Sequence, residues 1–254
     1  MPSFGELETI AIEAASEGAR VVRAAAGDLG MVQSKSTPTD PVTSLDIAAE
    51  RAIRAVLAAR APDSSVLGEE GGAVGGSSDI GWVVDPIDGT VNLTYDLPVM
   101  SVSVAATVAN EVVAGAVIDV LRGNVFSAAS GDGARLDGSP IAPSSKTELS
   151  TSLIGTGFSY LPEGRAMEAE YLARVLPAGR DVRCFGSAAL NLCWVGCGRL
   201  DGFYQRNMQY WDFAAGAVIA AEAGAAIAHP RPENGHLMVA SGPGIHAELV
   251  RLVS

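Results

Sequence analysis

The chain has 254 residues, of which 48% are hydrophobic and 18% charged, and its formal net charge is −12. This length and balance exclude a disordered chain and are typical of a compact protein that buries a sizeable core. The basic residues are scattered and form no stripe, which disfavours a nucleic-acid partner. An acidic protein of this kind binds an anionic substrate only if something positive comes between the two.

The first predicted element is a helix over residues 4 to 26, which has apolar positions at helical spacing and acidic residues near its start. It lacks the basic and then apolar plan of a signal peptide. No apolar run in the sequence reaches the length of a membrane span. We therefore expect a cytoplasmic protein with no membrane partner.

A polar stretch, "GDLGMVQSKSTPTDPVT", follows the first helix and is punctuated by Pro38 and Pro41. This composition predicts a mobile surface loop. A second helix is predicted over residues 43 to 60, with Thr43 or Ser44 as its cap and Asp46 in its first turn.

Short strands are predicted between residues 80 and 136, in "IGWVVD", "MSVSVAATV", "EVVAGAVIDV" and "NVFSAAS". From residue 151 strands alternate with helices, the strands lying in "SLIGTGF", "DVRCF" and "DGFYQ". The predicted helices of this half cover residues 163–176, 187–197 and 211–224, short strands follow at 225–228 and 237–241, and a closing helix starts at 244. Helices that alternate with two strand clusters predict a layered α/β fold, with sheets between helix layers.

The cysteines are Cys184, Cys193 and Cys197, and the last two lie one helical turn apart in "NLCWVGCG". This spacing could indicate a thiolate metal site, but no histidine accompanies the pair and the stretch has the pattern of a buried helix. We interpret the three cysteines as buried, reduced thiols.

The stretch "WVVDPIDGTVNL" brings two carboxylates together where a strand ends. Pro86 cannot donate a ladder hydrogen bond and is expected to stop the strand, Gly89 permits a tight turn, and Thr90 can cap a following helix. Asp85 and Asp88 then project from one turn at the carboxyl end of a strand, where α/β folds place ligands. Because two carboxylates in one apolar turn repel each other, the pair favours a cation site over simple turn-forming aspartates.

Two further stretches supply carboxylates at the mouth of apolar elements. "SSVLGEEGG" places Glu69 and Glu70 directly after a short apolar strand, and "YWDFAAGAVIAAEAGA" places Asp212 in the first turn of an apolar helix. Taken alone, the glutamates could be solvated loop charges and Asp212 could complement the helix dipole. Together the three acidic sites favour a common metal centre.

These segments, "GEE", "WVVDPIDGTVNL" and "WDFAAGAVIAAEAGA", resemble the signature segments of the inositol monophosphatase family of magnesium-dependent, lithium-sensitive phosphatases. The stretches "KSTPTDPVTSLD", "GDGARLDGSPI" and "GSAALNLCWVGCGRLDGFY" are also similar to that family and occur in the family's order. The resemblance covers nearly the whole chain and implies one αβαβα layered domain over residues 1–254 and, usually, a homodimer. The implied domain has two lobes. Residues of about 1–145 carry the metal and phosphate motifs, and residues of about 146–254 carry the substrate side and the Asp212 motif.

The resemblance also implies two to three Mg²⁺ ions per active site. Glu69, Asp85 and the backbone carbonyl of Ile87 would hold one ion, Asp85, Asp88 and Asp212 a second, and a weaker third would lie near Glu69. The physical chemistry agrees, because hard divalent cations prefer carboxylate and carbonyl oxygens. Such ions would also recruit the anionic substrate, activate water and stabilise the leaving alkoxide.

In the same resemblance the backbone N–H groups of Gly89 and Thr90 would receive the phosphate. Thr90, paired with Asp46, would orient and deprotonate the attacking water, and Glu69 would assist. No cysteine or histidine lies in the three segments that carry the metal and phosphate residues, which favours direct in-line attack by metal-activated water over a covalent intermediate. The implied substrate contacts are Asp88, Gly186, Ser187, Ala188, Gln205 and Arg206.

The sequence departs from the family pattern on the alcohol side of the substrate. Gln205 stands where inositol phosphatases commonly have a glutamate that binds a substrate hydroxyl, and Gln brings no charge. Arg206 beside it could meet a second phosphate or carboxylate, or could be a surface charge.

Three functions therefore remain open. The first is a Mg²⁺-dependent monoesterase acting on a small polyol phosphate, myo-inositol monophosphate foremost. The second is the same chemistry on histidinol phosphate, fructose 1,6-bisphosphate or a nucleotide 3′-phosphate. The third is an interaction module that keeps the phosphatase fold, which the complete set of metal ligands argues against.

Overall fold

The structure is a computed structural model that describes residues 2–25, 32–34, 41–228 and 237–254. Its α-helices alternate with two groups of strands along the chain. They are α1 Phe4–Ala24, α2 Ser44–Arg60, α3 Thr90–Thr94, α4 Pro162–Val175, α5 Ala188–Gly196, α6 Tyr210–Glu222 and α7 Pro243–Val253. None of the helices in these ranges is long and apolar enough to cross a membrane.

A short hairpin precedes the first large sheet, with β1 Val32–Ser34 antiparallel to β2 Pro41–Thr43. The eight strands of the large sheet are β3 Ser65–Gly68, β4 Gly72–Val74, β5 Ile80–Asp88, β6 Ser101–Val108, β7 Glu111–Asp119, β8 Val125–Ala129, β9 Ala134–Leu136 and β10 Ser139–Pro140. Their order is β10-β9-β8-β7-β6-β5-β3-β4, and all neighbours are antiparallel except β3 and β5.

The second sheet has five strands, β11 Leu153–Thr156, β12 Asp181–Cys184, β13 Gly202–Gln205, β14 Ala226–Ala228 and β15 Met238–Ser241. Their order is β12-β11-β13-β15-β14. β11 is parallel to both β12 and β13, whereas β15 is antiparallel to β13 and β14.

The helices form three layers around these sheets. α1 and α2 cover one face of the eight-stranded sheet, α5 and α6 lie between the two sheets, and α4 and α7 cover the outer face of the five-stranded sheet. The middle layer packs closely, because a Cβ at Gly115 of β7 would come within 2.9 Å of the Ala215 backbone in α6. The predicted αβαβα fold is confirmed.

The sequence located most elements to within one or two residues, but the interpretations of the loop after α1 and of the cysteines were wrong in part. Residues 32–34 and 41–43 of the predicted loop form the hairpin of β1 and β2, while residues 26–31 and 35–40 lie outside the described residues. The three cysteines are free thiols as predicted, but only Cys193 is buried, Cys197 is partly buried and Cys184 is exposed. Burial raises the pKa of the Cys193 thiol well above its ordinary value.

Candidate functional site

The centre of the site is an irregularity near the end of β5. Asp85 pairs with Ser103 and Asp88 pairs with Ser101, so β5 advances three residues where β6 advances two. This extra residue is a β-bulge, and Pro86 lies in it, where a missing N–H breaks no ladder bond. The prediction that Pro86 stops the strand was therefore wrong: β5 continues to Asp88, and the bulge places both aspartates at the same end of the sheet.

Asp85 is a buried carboxylate, only 2% exposed, in a region of negative charge. Its Oδ1 accepts a hydrogen bond from the Ile87 backbone N–H at 3.0 Å. Burial raises the pKa of Asp85 well above its ordinary value, and the charges of Glu69, Asp88 and Asp212 raise it further. The four carboxylates that the sequence assigned to the metal are thus electrostatic neighbours.

Asp88 is held by the beginning of α5, which comes from the second half of the chain. Its Oδ2 accepts hydrogen bonds from the Ser187 hydroxyl at 2.6 Å and the Ala189 N–H at 2.7 Å, and its Oδ1 accepts one from the Ala188 N–H at 3.1 Å. Burial raises the pKa of Asp88, while these bonds oppose the shift. These hydrogen bonds join the segment that carries Asp85 and Asp88 to the beginning of α5, where residues are predicted to bind the substrate alcohol.

The Ser101 hydroxyl also lies 3.3 Å from Asp88 Oδ2 and 3.1 Å from the Ser187 hydroxyl. Sequence reasoning missed Ser101. The only available signal was its position directly opposite Asp88, which depends on the register across the bulge.

Thr90 and Asp46 form the predicted pair. The Thr90 hydroxyl lies 3.1 Å from Asp46 Oδ1 and 3.0 Å from the Ile87 carbonyl, and its single proton is shared between these acceptors. Asp46 Oδ2 accepts from the N–H of Thr43 at 2.8 Å and from its hydroxyl at 2.6 Å. Thr43 caps α2 as predicted. Thr90 is not a cap, since α3 is capped by Gly89 and Thr90 is its first residue.

The turn between β5 and α3 requires glycine for two reasons. Gly89 has a φ of 108°, and a Cβ there would lie 3.0 Å from the Val99 carbonyl and 3.2 Å from the Gly186 carbonyl. Asn92, which the sequence analysis missed, joins the same two segments by donating to the carbonyls of Val99 at 2.7 Å and Phe185 at 2.6 Å. The candidate phosphate turn is therefore fixed against the segment that leads into α5.

The turn that carries Glu69 is held by a third residue that sequence reasoning missed. Glu50 of α2 is 2% exposed and accepts hydrogen bonds from the N–H groups of Glu70 at 2.8 Å and Gly71 at 2.9 Å. Arg54 balances its charge at 2.7 Å. The available signal was a carboxylate on the buried face of a predicted helix, which is costly unless it has partners.

Asp212 lies in the first turn of α6 as predicted and has two roles. Its Oδ2 accepts a hydrogen bond from the Gln209 N–H at 2.7 Å, completing a capping arrangement at the helix start. Its negative charge also raises the pKa of Asp85. The interpretation of Asp212 as a helix-start charge is confirmed, and its role as a metal ligand stays a prediction.

The end of β13 separates the two residues predicted to face the substrate alcohol. Phe203 lies in the core between the sheets, and Tyr204 lies in the core under α4 and α7. Because successive side chains of a strand point to opposite faces, Gln205 points towards the layer between the sheets and Arg206 towards the outer layer. The Gln205 side chain lies against Gly157, where a Cβ would collide with it.

Arg206 is buried on the outer side of the second sheet. Its Nη1 donates to the Tyr171 hydroxyl of α4 at 3.0 Å, and its guanidinium lies 5.8 Å from that ring. Arg206 is thus neither a surface charge nor among the residues that the structure brings together at the site.

The donor chemistry fits a hard divalent cation. The converging side chains offer oxygen atoms, and burial of Asp85 beside three like charges leaves negative charge that a cation would neutralise. No three acidic, histidine or cysteine side chains of the described ranges stand in a complete ligand arrangement. Asp88 and Asp212 instead accept hydrogen bonds from helix N-termini.

Comparison with known proteins gives one consistent result. The model of the inositol monophosphatase family matches residues 5–253. A protein named inositol-1-monophosphatase SuhB from Mycobacterium tuberculosis is 47% identical over 262 residues, which is 96% of this chain and 90% of that protein. The solved structure "Mycobacterium tuberculosis SuhB" is 42% identical with a TM-score of 0.86, covering 100% of this chain and 97% of its own. The extragenic suppressor protein suhB from Bartonella henselae is 30% identical with a TM-score of 0.93, covering 98% of both chains.

Proposed function

The chain belongs to the inositol monophosphatase family and is a metal-dependent phosphoric monoester hydrolase, and from this premise we propose that it hydrolyses a small polyol phosphate, myo-inositol monophosphate foremost. The observation that carries the proposal is the buried Asp85 carboxylate beside the charges of Glu69, Asp88 and Asp212. A phosphate ester cannot approach such a cluster unless cations neutralise it.

The cation proposed for the site is Mg²⁺, two to three ions in number, held by Glu69, Asp85, Asp88, Asp212 and the Ile87 carbonyl. That carbonyl already accepts from Thr90, but its second lone pair remains available to a cation. When bound, the ions supply the positive charge that attracts the phosphate, activates water and stabilises the leaving oxygen. Inhibition by Li⁺ is part of the proposal.

The residues of the β5–α3 turn orient the phosphate and the water. The N–H groups of Gly89 and Thr90 lie at the start of α3, where backbone donors have no partner within the helix, and they are proposed to bind phosphate oxygens. The Thr90 hydroxyl donates its proton to a hydrogen bond shared by Asp46 and the Ile87 carbonyl, so the Thr90 oxygen can accept a hydrogen bond from the attacking water. Glu69 is proposed to assist in holding that water.

The alcohol half of the substrate is proposed to lie between α5 and the end of β13. Gly186, Ser187 and Ala188 precede or begin α5 beside Asp88, and Gln205 faces the same layer. Gln205 can hydrogen-bond a hydroxyl as donor or acceptor. Arg206 is removed from the proposed contacts because it is bound to Tyr171 on the other side of the sheet. The argument for a second phosphate on the substrate is lost with it.

Phosphate release from a substrate panel tests the proposal. With Mg²⁺ present, we expect the highest kcat/KM for myo-inositol 1-phosphate, and lower values for histidinol phosphate, fructose 1,6-bisphosphate and a nucleotide 3′-phosphate. A higher kcat/KM for one of the other esters would reassign the substrate but keep the chemistry. No hydrolysis of any ester with Mg²⁺ present would contradict the proposed function.

We also propose a homodimer. Phe158, Tyr160 and Leu161 are 38%, 43% and 52% exposed and lie together before and at the start of α4, which is unusual for large apolar side chains on a free surface. Sedimentation equilibrium tests the assembly, with a mass near twice 26.0 kDa expected. Tyr160→Lys and Leu161→Lys together are expected to shift the mass towards the monomer, and an unchanged mass would place the interface elsewhere.

A further inference from the structure

A cavity of about 290 Å³ lies where the turn after β7 meets the second half of the chain, and none of the proposed metal ligands lines it. Its walls are Arg122, Leu153, Phe185, Trp194, Arg199 and Leu200. Four of these side chains are apolar or aromatic and two are guanidinium groups. None is a carboxylate, in a protein whose net charge is −12.

The two arginines differ in how they are held. Arg122 donates to the buried carboxylate of Asp119 at 3.0 Å, with its guanidinium 5.9 Å from the Trp194 ring. Arg199 lies 5.7 Å from the Phe126 ring, and within the described part of the chain no carboxylate pairs with it. The Arg199 guanidinium therefore keeps its donors for an anion.

Trp194 is the more buried of the two aromatic walls. It is 6% exposed, and its indole N–H has no hydrogen-bond partner among the described residues. Phe185 packs edge-on against Trp194 with ring centroids 4.9 Å apart, which gives the cavity a rigid aromatic wall.

We propose that this cavity binds a small organic anion with a flat apolar body and a carboxylate or phosphate head. The apolar and aromatic walls take the flat body, while the Arg199 guanidinium binds the head group. The volume is at the lower end of small-molecule sites, which limits the ligand to one or two fused rings. The site is independent of the catalytic metal ions, because none of its walls is a proposed metal ligand.

Binding of three probes tests the proposal: 2-naphthoate, 2-naphthylphosphonate and the neutral 2-naphthamide. Titrations of the full chain are followed by calorimetry and ligand-observed NMR, once in EDTA and once in Mg²⁺. We expect one or both anions to bind at least tenfold more tightly than the amide, with the same affinity in both buffers. The ratio of the two anions identifies the preferred head group.

Variants assign the binding to the cavity. Arg199→Gln is expected to weaken anion binding about tenfold, the loss of one charge-assisted contact, and Trp194→Phe to weaken it several-fold while keeping an aromatic wall. Arg51→Gln is the matched control, because it makes the same charge change on α2 and is expected to bind like the parent. Circular dichroism confirms that each variant is folded.

Several results would overturn the proposal. Equal affinity for the amide and the anions would contradict it, and so would unchanged anion binding in Arg199→Gln. Loss of binding in EDTA would show that the anion binds at the catalytic metal ions and not in the cavity. Absence of binding at millimolar probe would mean that water or a second copy of the chain fills the cavity. The probes are not phosphate esters, so these results are independent of the proposed hydrolysis.

Discussion

The ends of β5 and β13 both face the layer between the sheets, but their polar side chains are held very differently. At β5, Asp88 accepts several hydrogen bonds and Thr90 lies between two acceptors. At β13, the Gln205 side chain lies over Gly157 and makes no hydrogen bond within the described part of the chain.

We propose that this difference separates the residues that carry the chemistry from those that choose the substrate. Metal and phosphate chemistry needs groups fixed to within fractions of an ångström, and the dense hydrogen bonding at β5 provides that. Recognition of the alcohol needs only a side chain that can adjust to hydroxyl positions. Substitutions at β5 should therefore stop the reaction, whereas substitutions at β13 should change the choice of substrate.

Asp85→Asn is expected to have the largest effect. It removes the central negative charge, so kcat/KM should fall by about 10⁴-fold, which corresponds to several kcal/mol of barrier. The melting temperature of the metal-free protein should stay constant or rise, because repulsion with Glu69, Asp88 and Asp212 is relieved. Asp79→Asn makes the same change at an exposed position and should alter neither quantity. Substantial activity in Asp85→Asn would remove this residue from the metal site.

Asp212→Asn should lower activity by about 10³-fold and weaken Mg²⁺ binding in calorimetry. The asparagine carbonyl can still accept from the Gln209 N–H, so metal-free stability should hold or rise. A drop in metal-free stability together with retained activity would leave Asp212 as a helix cap only.

Thr90→Val should lower kcat by about 10²-fold with little change in KM. This is the lower end of general-base assistance, because the Thr90 hydroxyl already shares its proton between Asp46 and the Ile87 carbonyl. Thr90→Ser keeps the hydroxyl and should retain much of the activity. Asp46→Asn should resemble Thr90→Val, and the double variant should be scarcely slower than either single one, because the pair acts as a unit. Rates in Thr90→Val within a few-fold of the parent would exclude the threonine from activating water.

Gln205→Glu should change the ranking of substrates by less than about tenfold, the size of one exposed hydrogen bond. The Mg²⁺ concentration dependence should remain that of the parent, since no metal ligand is altered. The measurement is kcat/KM across the ester panel. An unchanged ranking would mean that Gln205 does not contact the alcohol.

Arg206→Gln is the paired test at the neighbouring position and should have the smallest effect on substrate choice. Losing the bond to Tyr171 inside the outer core should lower the free energy of unfolding by about 1–3 kcal/mol in urea denaturation. The substrate ranking should stay as in the parent. A changed ranking with unchanged stability would show that Arg206 reaches the substrate after all.

The sequence predicted the parts of the site that depend on local order along the chain. Asp85 and Asp88 lie near the end of the apolar strand β5, Glu69 follows β3, and Asp212 lies in the first turn of the apolar helix α6. Their placement follows from where those elements begin and end. Helix spacing and strand alternation likewise located the elements of both sheets.

The parts that sequence missed depend on contacts between distant segments. A proline in a strand pattern predicts that the strand ends, whereas Pro86 lies in a bulge. A bulge depends on the pairing register with β6, and the sequence of β5 alone does not contain that register. Glu50 and Asn92 act on turns from another element. Side chains along β13 alternate between the core between the sheets and the outer core, and this alternation directs Arg206 outward. Which set of side chains faces which core is decided only when the sheet packs.

The central claim is that cations held by the β5 carboxylates bring the phosphate into an acidic protein. The most direct test is release of phosphate from myo-inositol 1-phosphate by protein treated with EDTA, passed through a desalting column and titrated with Mg²⁺, Ca²⁺ or Mg²⁺ plus Li⁺. The account predicts no turnover without metal, recovery with Mg²⁺, no turnover with Ca²⁺ and inhibition at millimolar Li⁺. Full activity in the metal-free protein would contradict it.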